Sequence, residues 1–323
     1  MQTLHRFYLT FDTEDFISEN SIPGLHNLLE LLKKHELSAL FFITGHMAEK
    51  LANFPATVDL LSEHQIGFHS SSHSVHPTIF EFTDVKSYKE AYQNSLTRET
   101  SHINPLTGAI EGRGGIHVLK ALFPKKQIIS YRAPGYCWTP PHLDALKTLG
   151  ITYDFSTDIC IEPIDYQGIT FYPFTISTTN WNGRIGEHFL LQRLTIKRDV
   201  IVLTIHPSTM VNKFEWDSIY FSKFNNCKLN PTNLVRLPAR TPSEITSIFR
   251  KFDLLLKHLE ALQKMHFVKV DSEPAQAGRT LFPSIEDAEK SYKHSINWAE
   301  RYGYNPVFLQ SHFIHFFQLS VPN

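Results

Sequence analysis

The sequence predicts an α/β fold: an irregular (β/α) barrel of about seven parallel strands with a C-terminal helical extension. Two observations predict it. Short, strongly apolar runs alternate with amphipathic helical patterns over most of the 323 residues. Polar and ionisable residues also gather directly after several of the apolar runs, where parallel α/β folds place their ligand sites.

The elements follow in order. Phe7 to Phe11 reads as the first strand, and Ile22 to His35 as a helix, with Leu25, Leu28, Leu29 and Leu32 at helical spacing. Ser38 to Ile43 is a second strand, and Gly67 to His69 ends a third. A polar helix is expected over Val85 to Arg98, and further strands at Ile128 to Tyr131, Thr152 to Phe155, Thr170 to Phe174, Val200 to Ile205 and Phe267 to Val270. Between them the pattern predicts helices at Pro140 to Leu149, Gly186 to Lys197 and Ser243 to Met265. Two segments break the rhythm, His102 to Gly115 and Pro207 to Arg240, and both are long enough to be binding loops or lids. We expect residues 1–275 to form the barrel and residues 276–323, with a helix at Ile285 to Arg301, to be an extension packed on the same domain.

Composition narrows the function. With 42% hydrophobic and 20% charged residues, a mean hydropathy of -0.21 and a formal charge of -1, the chain has an ordinary core and no excess of cations. That argues against nucleic acid as a partner. The three cysteines, Cys137, Cys160 and Cys227, are too scattered for a disulfide framework or a cysteine metal site. No apolar run spans a bilayer, and the N-terminus lacks a secretion-signal pattern, so a cytoplasmic location is expected. Nothing in the sequence speaks to oligomeric state.

Four clusters carry chemistry. Asp12, Glu14 and Asp15 crowd three carboxylates at the end of the first strand, where a cation would relieve their repulsion. His69 and His73 follow the third strand four residues apart, and converge on one ion if the turn between them is helical. Arg132, in Arg132-Ala133-Pro134, follows another strand and is suited to holding a carboxylate ionised. His206 follows the apolar strand Val200 to Ile205 and could shuttle a proton.

Their order, an acidic corner, then HxxxH, then RxP, then a strand ending in His, resembles the polysaccharide deacetylase family. The resemblance runs from about Phe7 to Asp271. It implies that Asp12 is the general base, His69 and His73 bind a divalent metal, with zinc the expectation, Arg132 orients the base and His206 is the general acid. Where the family has a second Asp, this chain has Thr13; branches with a carboxylate two residues after the base point to Glu14 as third ligand, with Asp15 the fallback. Tyr136 is displaced by Gly135 from its usual place after RxP, and Ser156 stands where the family's fourth motif has an Asp. Tyr136 and Trp138 are the expected substrate-binding residues, since aromatic faces suit sugar rings; Tyr172, Trp181 and Trp216 share that possibility.

What the resemblance implies is a metal-dependent amide hydrolase, acting on an N-acetylated amino sugar, glycan or glycoconjugate. Two rivals remain: a hydrolase of a non-sugar amide or ureide, and a carbohydrate-binding protein that has lost catalysis.

Overall fold

The computed structural model describes residues 5–73, 87–136, 138–157, 162–166, 168–173, 176–178, 200–215 and 236–275. The strands are β1 (His5–Thr13), β2 (Leu40–Ile43), β3 (Gln65–Phe68), β4 (Ser101–Ile103), β5 (Ile110–Arg113), β6 (Ser130–Tyr131), β7 (Tyr153–Thr157), β8 (Ile164–Tyr166), β9 (Ile169–Pro173), β10 (Ile176–Thr178), β11 (Val200–Ile205) and β12 (Val268–Asp271). The helices are α1 (Ser21–Lys34), α2 (Gly45–Leu51), α3 (Pro55–Leu61), α4 (Tyr88–Glu99), α5 (Ile116–Leu122), α6 (Pro140–Thr148) and α7 (Pro242–Lys264).

Most strands join one sheet in the order β10-β11-β1-β2-β3-β6-β7-β9-β8. Its ladders are parallel except for β8, which runs antiparallel on β9 at one edge. β1 is the hub: β11 pairs with Arg6 to Phe11, while β12 takes His5 to Tyr8 and β2 takes Thr10 to Thr13. The result is a curled half-barrel. Among the described residues no ladder joins β10 to β8.

Both faces of the sheet are buried, which is why its strands read as continuous apolar runs. The alternation along each strand decides what lies on which face. On β1, Phe7, Leu9 and Phe11 join Leu25, Leu28 and Leu29 of α1 and Phe252 and Leu256 of α7 in the larger core. Each such side chain contributes about 1.5–3 kcal/mol by leaving water. Tyr8 points the other way, into a smaller interior cluster with Leu40, Phe42, Phe155, Tyr172, Val200 and Val202. Phe155 and Tyr172 stack there with ring centroids 4.5 Å apart. Phe42 fills so much of this interior that a Cβ on Gly67 would lie 2.6 Å from its ring.

α7 is started by a reciprocal cap, Thr241 accepting from the Glu244 backbone and Glu244 from that of Thr241. It is tied to α1 by the buried His35, whose Nδ1 meets Glu260 at 2.9 Å and whose Nε2 meets Asp253 at 3.0 Å.

The expected lid at 102–115 is instead built around a short antiparallel hairpin, β4 and β5, closed through Asn104 to Ala109. Gly114 and Gly115 pack so tightly that added Cβ atoms would fall 2.3 Å from His102 N and 2.2 Å from Glu99 O. The helix expected at Gly186 to Lys197, much of the 207–240 segment and the extension at 276–323 lie outside the described residues. No described helix is long and apolar enough to cross a membrane.

Candidate active site

The alternation that buries Tyr8 and Thr10 also delivers Asp12 to the interior face, at the carboxyl end of β1. In register beside it, β11 carries Thr204, level with Thr10, and then His206 just past its end. Two polar layers therefore sit above the aromatic plug. The lower layer is Thr10, Thr204 and Arg132, and the upper is Asp12, Glu14 and His206.

Arg132 is fully buried and spends its guanidinium on three partners. Nη1 donates to Asp12 Oδ1 at 2.6 Å, Nη2 to Thr10 Oγ1 at 3.0 Å and Nε to the Phe155 carbonyl at 3.1 Å. Its charge also lies 4.3 Å from the centre of the Phe42 ring. A charge this deep is tolerated because it is paired, hydrogen-bonded through each of its three nitrogens and seated on an aromatic face.

Glu14, His69 and His73, all buried, bring ligand atoms within 4.8 Å of one another. Glu14 Oε2 is 3.2 Å from His69 Nε2 and 2.8 Å from His73 Nε2. The His69 Nδ1 donates to the Arg132 carbonyl at 2.6 Å. A carbonyl only accepts, so in the neutral ring Nε2 turns a lone pair toward the carboxylate. Two acceptors at that distance need a shared proton or a cation between them. Glu14 Oε1 is buried with no hydrogen-bond partner among the described residues. Two imidazoles and a carboxylate, one imidazole oriented by a backbone carbonyl, are a donor set that fits a transition-metal ion.

The two histidines meet by a different route from the helical turn expected. Ser70 and His73 take positive φ values of 64° and 46°, and Ser70 Oγ accepts from the His73 backbone N–H at 2.9 Å. Carboxylates adjacent in sequence have opposite fates. Asp15 accepts from the backbones of Ile17 and Ser18, from the Ser21 hydroxyl and from Asn212. It is spent on shaping the loop into α1, which leaves Glu14 as the carboxylate that faces the histidines.

His206 Nε2 lies 3.7 Å from Asp12 Oδ2 and 4.0 Å from Glu14 Oε1, and Nδ1 lies 3.1 Å from Glu215 Oε1. Burial opposes its charge, but Glu215, Glu14 and Asp12 outweigh burial and push its pKa up to about 10. Burial likewise opposes the charge on Glu14, yet His73, His206 and His69 hold that carboxyl well below its usual range.

Residues 3–153 match the model of the family described as polysaccharide deacetylase. This part of the chain, just under half of it, is similar to that family. No curated protein matches the chain. Among solved structures, a putative polysaccharide deacetylase from Mycobacterium smegmatis is 14% identical with a TM-score of 0.47, over 86% of this chain and 96% of that one. A family 4 carbohydrate esterase from Streptomyces lividans in complex with acetate is 13% identical with a TM-score of 0.44, over 87% and 98%. A mutant of a CE4 family pseudoenzyme with restored enzymatic activity is 15% identical with a TM-score of 0.43, over 84% of this chain but only 66% of that one.

Around this site the sequence reading missed two carboxylates. Glu215 pairs with His206 but sits inside an aromatic loop without a strand to announce it. Glu99, at the end of α4, accepts from the Ser71 backbone N–H at 2.9 Å and meets His142 at 2.9 Å, bracing the loop between the two histidines. One expectation is corrected. Trp138 is 1% exposed and packs against Phe171 at 5.1 Å, so it offers no face to a sugar. Tyr172 is likewise interior, its hydroxyl donating to the Ala275 carbonyl. Tyr136 is half-buried beside the site's Arg132 segment, with φ 58° following Gly135 at 60°. Ser156, in place of the expected Asp, accepts from the Ala133 backbone N–H at 2.6 Å, so it holds the RxP turn without a charge. Trp181 and Trp216 lie outside the described residues.

Proposed function

We propose that this protein is a metal-dependent amide hydrolase that removes the acetyl group from an N-acetylated amino sugar, glycan or glycoconjugate. The observation that carries the reading is the meeting of Glu14, His69 and His73 beside an Asp12 already held by Arg132. The divalent ion these ligands suit, zinc by donor type, would supply Lewis-acid activation of water and of an amide carbonyl.

The chain's own groups divide the remaining work. Arg132 occupies Asp12 Oδ1 and leaves Oδ2 toward the His206 side, free to take a proton from attacking water. His206, kept protonated by its carboxylate neighbours, can hand a proton to the departing amine. Glu215, at 3.1 Å, is the largest of these supports, and would stay so if an ion drew on the charge of Glu14. Water thus adds to the acetyl carbon, its proton goes to Asp12, and the C–N bond breaks as the nitrogen is protonated. Acetate and a free amine leave.

The test is release of acetate and free amine from N-acetylglucosamine oligomers. Metal-loaded protein should turn them over, chelator-stripped protein should not, and re-addition of zinc should restore the rate. Asp12→Asn and His206→Ala should each lose about 100-fold or more in kcat while keeping the metal. Turnover of a small non-sugar amide but not of the oligomers would hand the site to the ureide and amide rival. Metal binding with no turnover of either would leave a binding protein.

A further inference from the structure

We propose that His46, Glu49 and His102 form a second site for a divalent transition-metal ion, separate from the catalytic cluster and structural in role. The three ligand atoms lie within 4.8 Å of one another, as in the first cluster. His46 and Glu49 stand three residues apart on α2 and so share a face, and β4 brings His102 to it.

The distances are near those of a ligand set. His102 Nδ1 is 2.8 Å from Glu49 Oε1 and 2.9 Å from Oε2, while His46 Nδ1 is 3.6 Å from Glu49 Oε2. Ligand atoms around tetrahedral zinc, with bonds of about 2.0–2.2 Å, are about 3.3–3.6 Å apart. The 3.6 Å separation matches that value, while the 2.8 and 2.9 Å contacts are hydrogen-bond lengths that would open by about 0.5 Å around an ion, as would the 2.8 Å contact at Glu14. His46 is 5% exposed and its Nε2 has no hydrogen-bond partner among the described residues, a buried polar atom that an ion held through that nitrogen would satisfy.

A structural histidine in the same molecule looks different. His35 meets two separate carboxylates, one at each nitrogen, and needs nothing more. At the second cluster two imidazoles converge on one carboxylate, which is a ligand set. Imidazole and carboxylate together favour zinc or a similar ion, and the partly exposed Glu49 and His102 leave it a path in and room for water.

The site's consequence lies in what it joins. An ion there would clamp α2 to the β4–β5 hairpin. The His46 backbone N–H donates to the Ser71 carbonyl at 3.2 Å, and that of Gly45 to the Ser70 carbonyl at 3.0 Å, so α2 borders the loop that carries His73.

Metal stoichiometry decides the matter. Chelator-stripped protein would be reloaded with Zn²⁺, freed of excess by gel filtration and analysed for metal, with Co²⁺ absorbance as a second readout. Wild type should hold two equivalents, Glu49→Gln, His102→Ala and His69→Ala one each, and His69→Ala with Glu49→Gln none. Because Glu49 and His102 are partly exposed and Glu49→Gln keeps the side-chain shape, misfolding is not expected to confuse the count. As a check, Zn²⁺ should raise the Tm of His69→Ala but not of the double variant. One equivalent in wild type, lost in His69→Ala and kept in Glu49→Gln, would overturn the second site alone. One equivalent lost in Glu49→Gln but not in His69→Ala would support it and overturn the catalytic metal instead.

Discussion

Two clusters of the same composition, a glutamate between two histidines, sit in very different surroundings. Glu14, His69 and His73 are buried at the rim of the half-barrel, with Asp12, Arg132 and His206 around them. His46, Glu49 and His102 lie at the edge of a helix and a hairpin, partly open to water, with the Phe16 ring against His46. The ligand sets would hold similar ions. What would separate a reactive centre from a clamp is the neighbourhood: a carboxylate held by a buried arginine, and a histidine held protonated, within reach of the same point. Among the described residues, the inner strand face supplies both.

The largest expected effect attacks that neighbourhood from below. Arg132→Leu leaves Asp12 buried without its partner and should destabilise the protein by about 3–5 kcal/mol in urea unfolding. A loss under 1 kcal/mol would mean that the inner layer does not depend on this pair, and the contrast between the clusters would collapse.

A smaller effect tests a buried charge on the opposite face of β7. Asp154 is buried, with Oδ1 accepting from the Ser156 backbone and Oδ2 without a hydrogen-bond partner among the described residues. Burial raises its pKa from 3.8 to about 6, against the lowering pull of Ser156, His142 and Arg132. A raised folded-state value means the folded protein binds the extra proton, so this group's contribution to stability falls as pH rises from about 4 to 6. Asp154→Asn should therefore gain about 1–3 kcal/mol over wild type at pH 8 and almost nothing at pH 4. An equal gain at both pH values would show that ionisation is not the cause.

The smallest effect separates the two neighbouring carboxylates. Asp15→Ala should cost about 1–2 kcal/mol through lost loop and cap-like hydrogen bonds while the bound metal stays. Loss of metal in Asp15→Ala would return Asp15 to the ligand set.

Much of this was legible in the residues. Val200 to Ile205 is a strand with the predicted bounds, and α1, α6 and α7 fall within a residue or so of theirs, because long periodic runs carry their own signal. The short helices α2, α3 and α5 were not foreseen, each being 7 residues with too little periodicity to stand out. The hairpin at 101–113 was read as a loop, since its exposed β5 has no apolar alternation. His46 and Glu49 went unread for the same reason: their helix was unseen, so their shared face was too.

By itself the sequence determined where the strongly apolar strands end and which ionisable residues follow them, because apolar runs and their flanks are local facts. It therefore placed Asp12, His69, Arg132 and His206 at strand ends, and the order of their motifs pointed to the deacetylase family. Tertiary structure decided what each residue faces, because that depends on register across strands and on backbone turns between them. It separated Glu14 from Asp15 by one turn of the chain, carried His73 back through a left-handed serine, put Trp138 in the core and brought Glu215 to His206. A side chain's neighbours are set by the whole sheet, and no single stretch of sequence contains them.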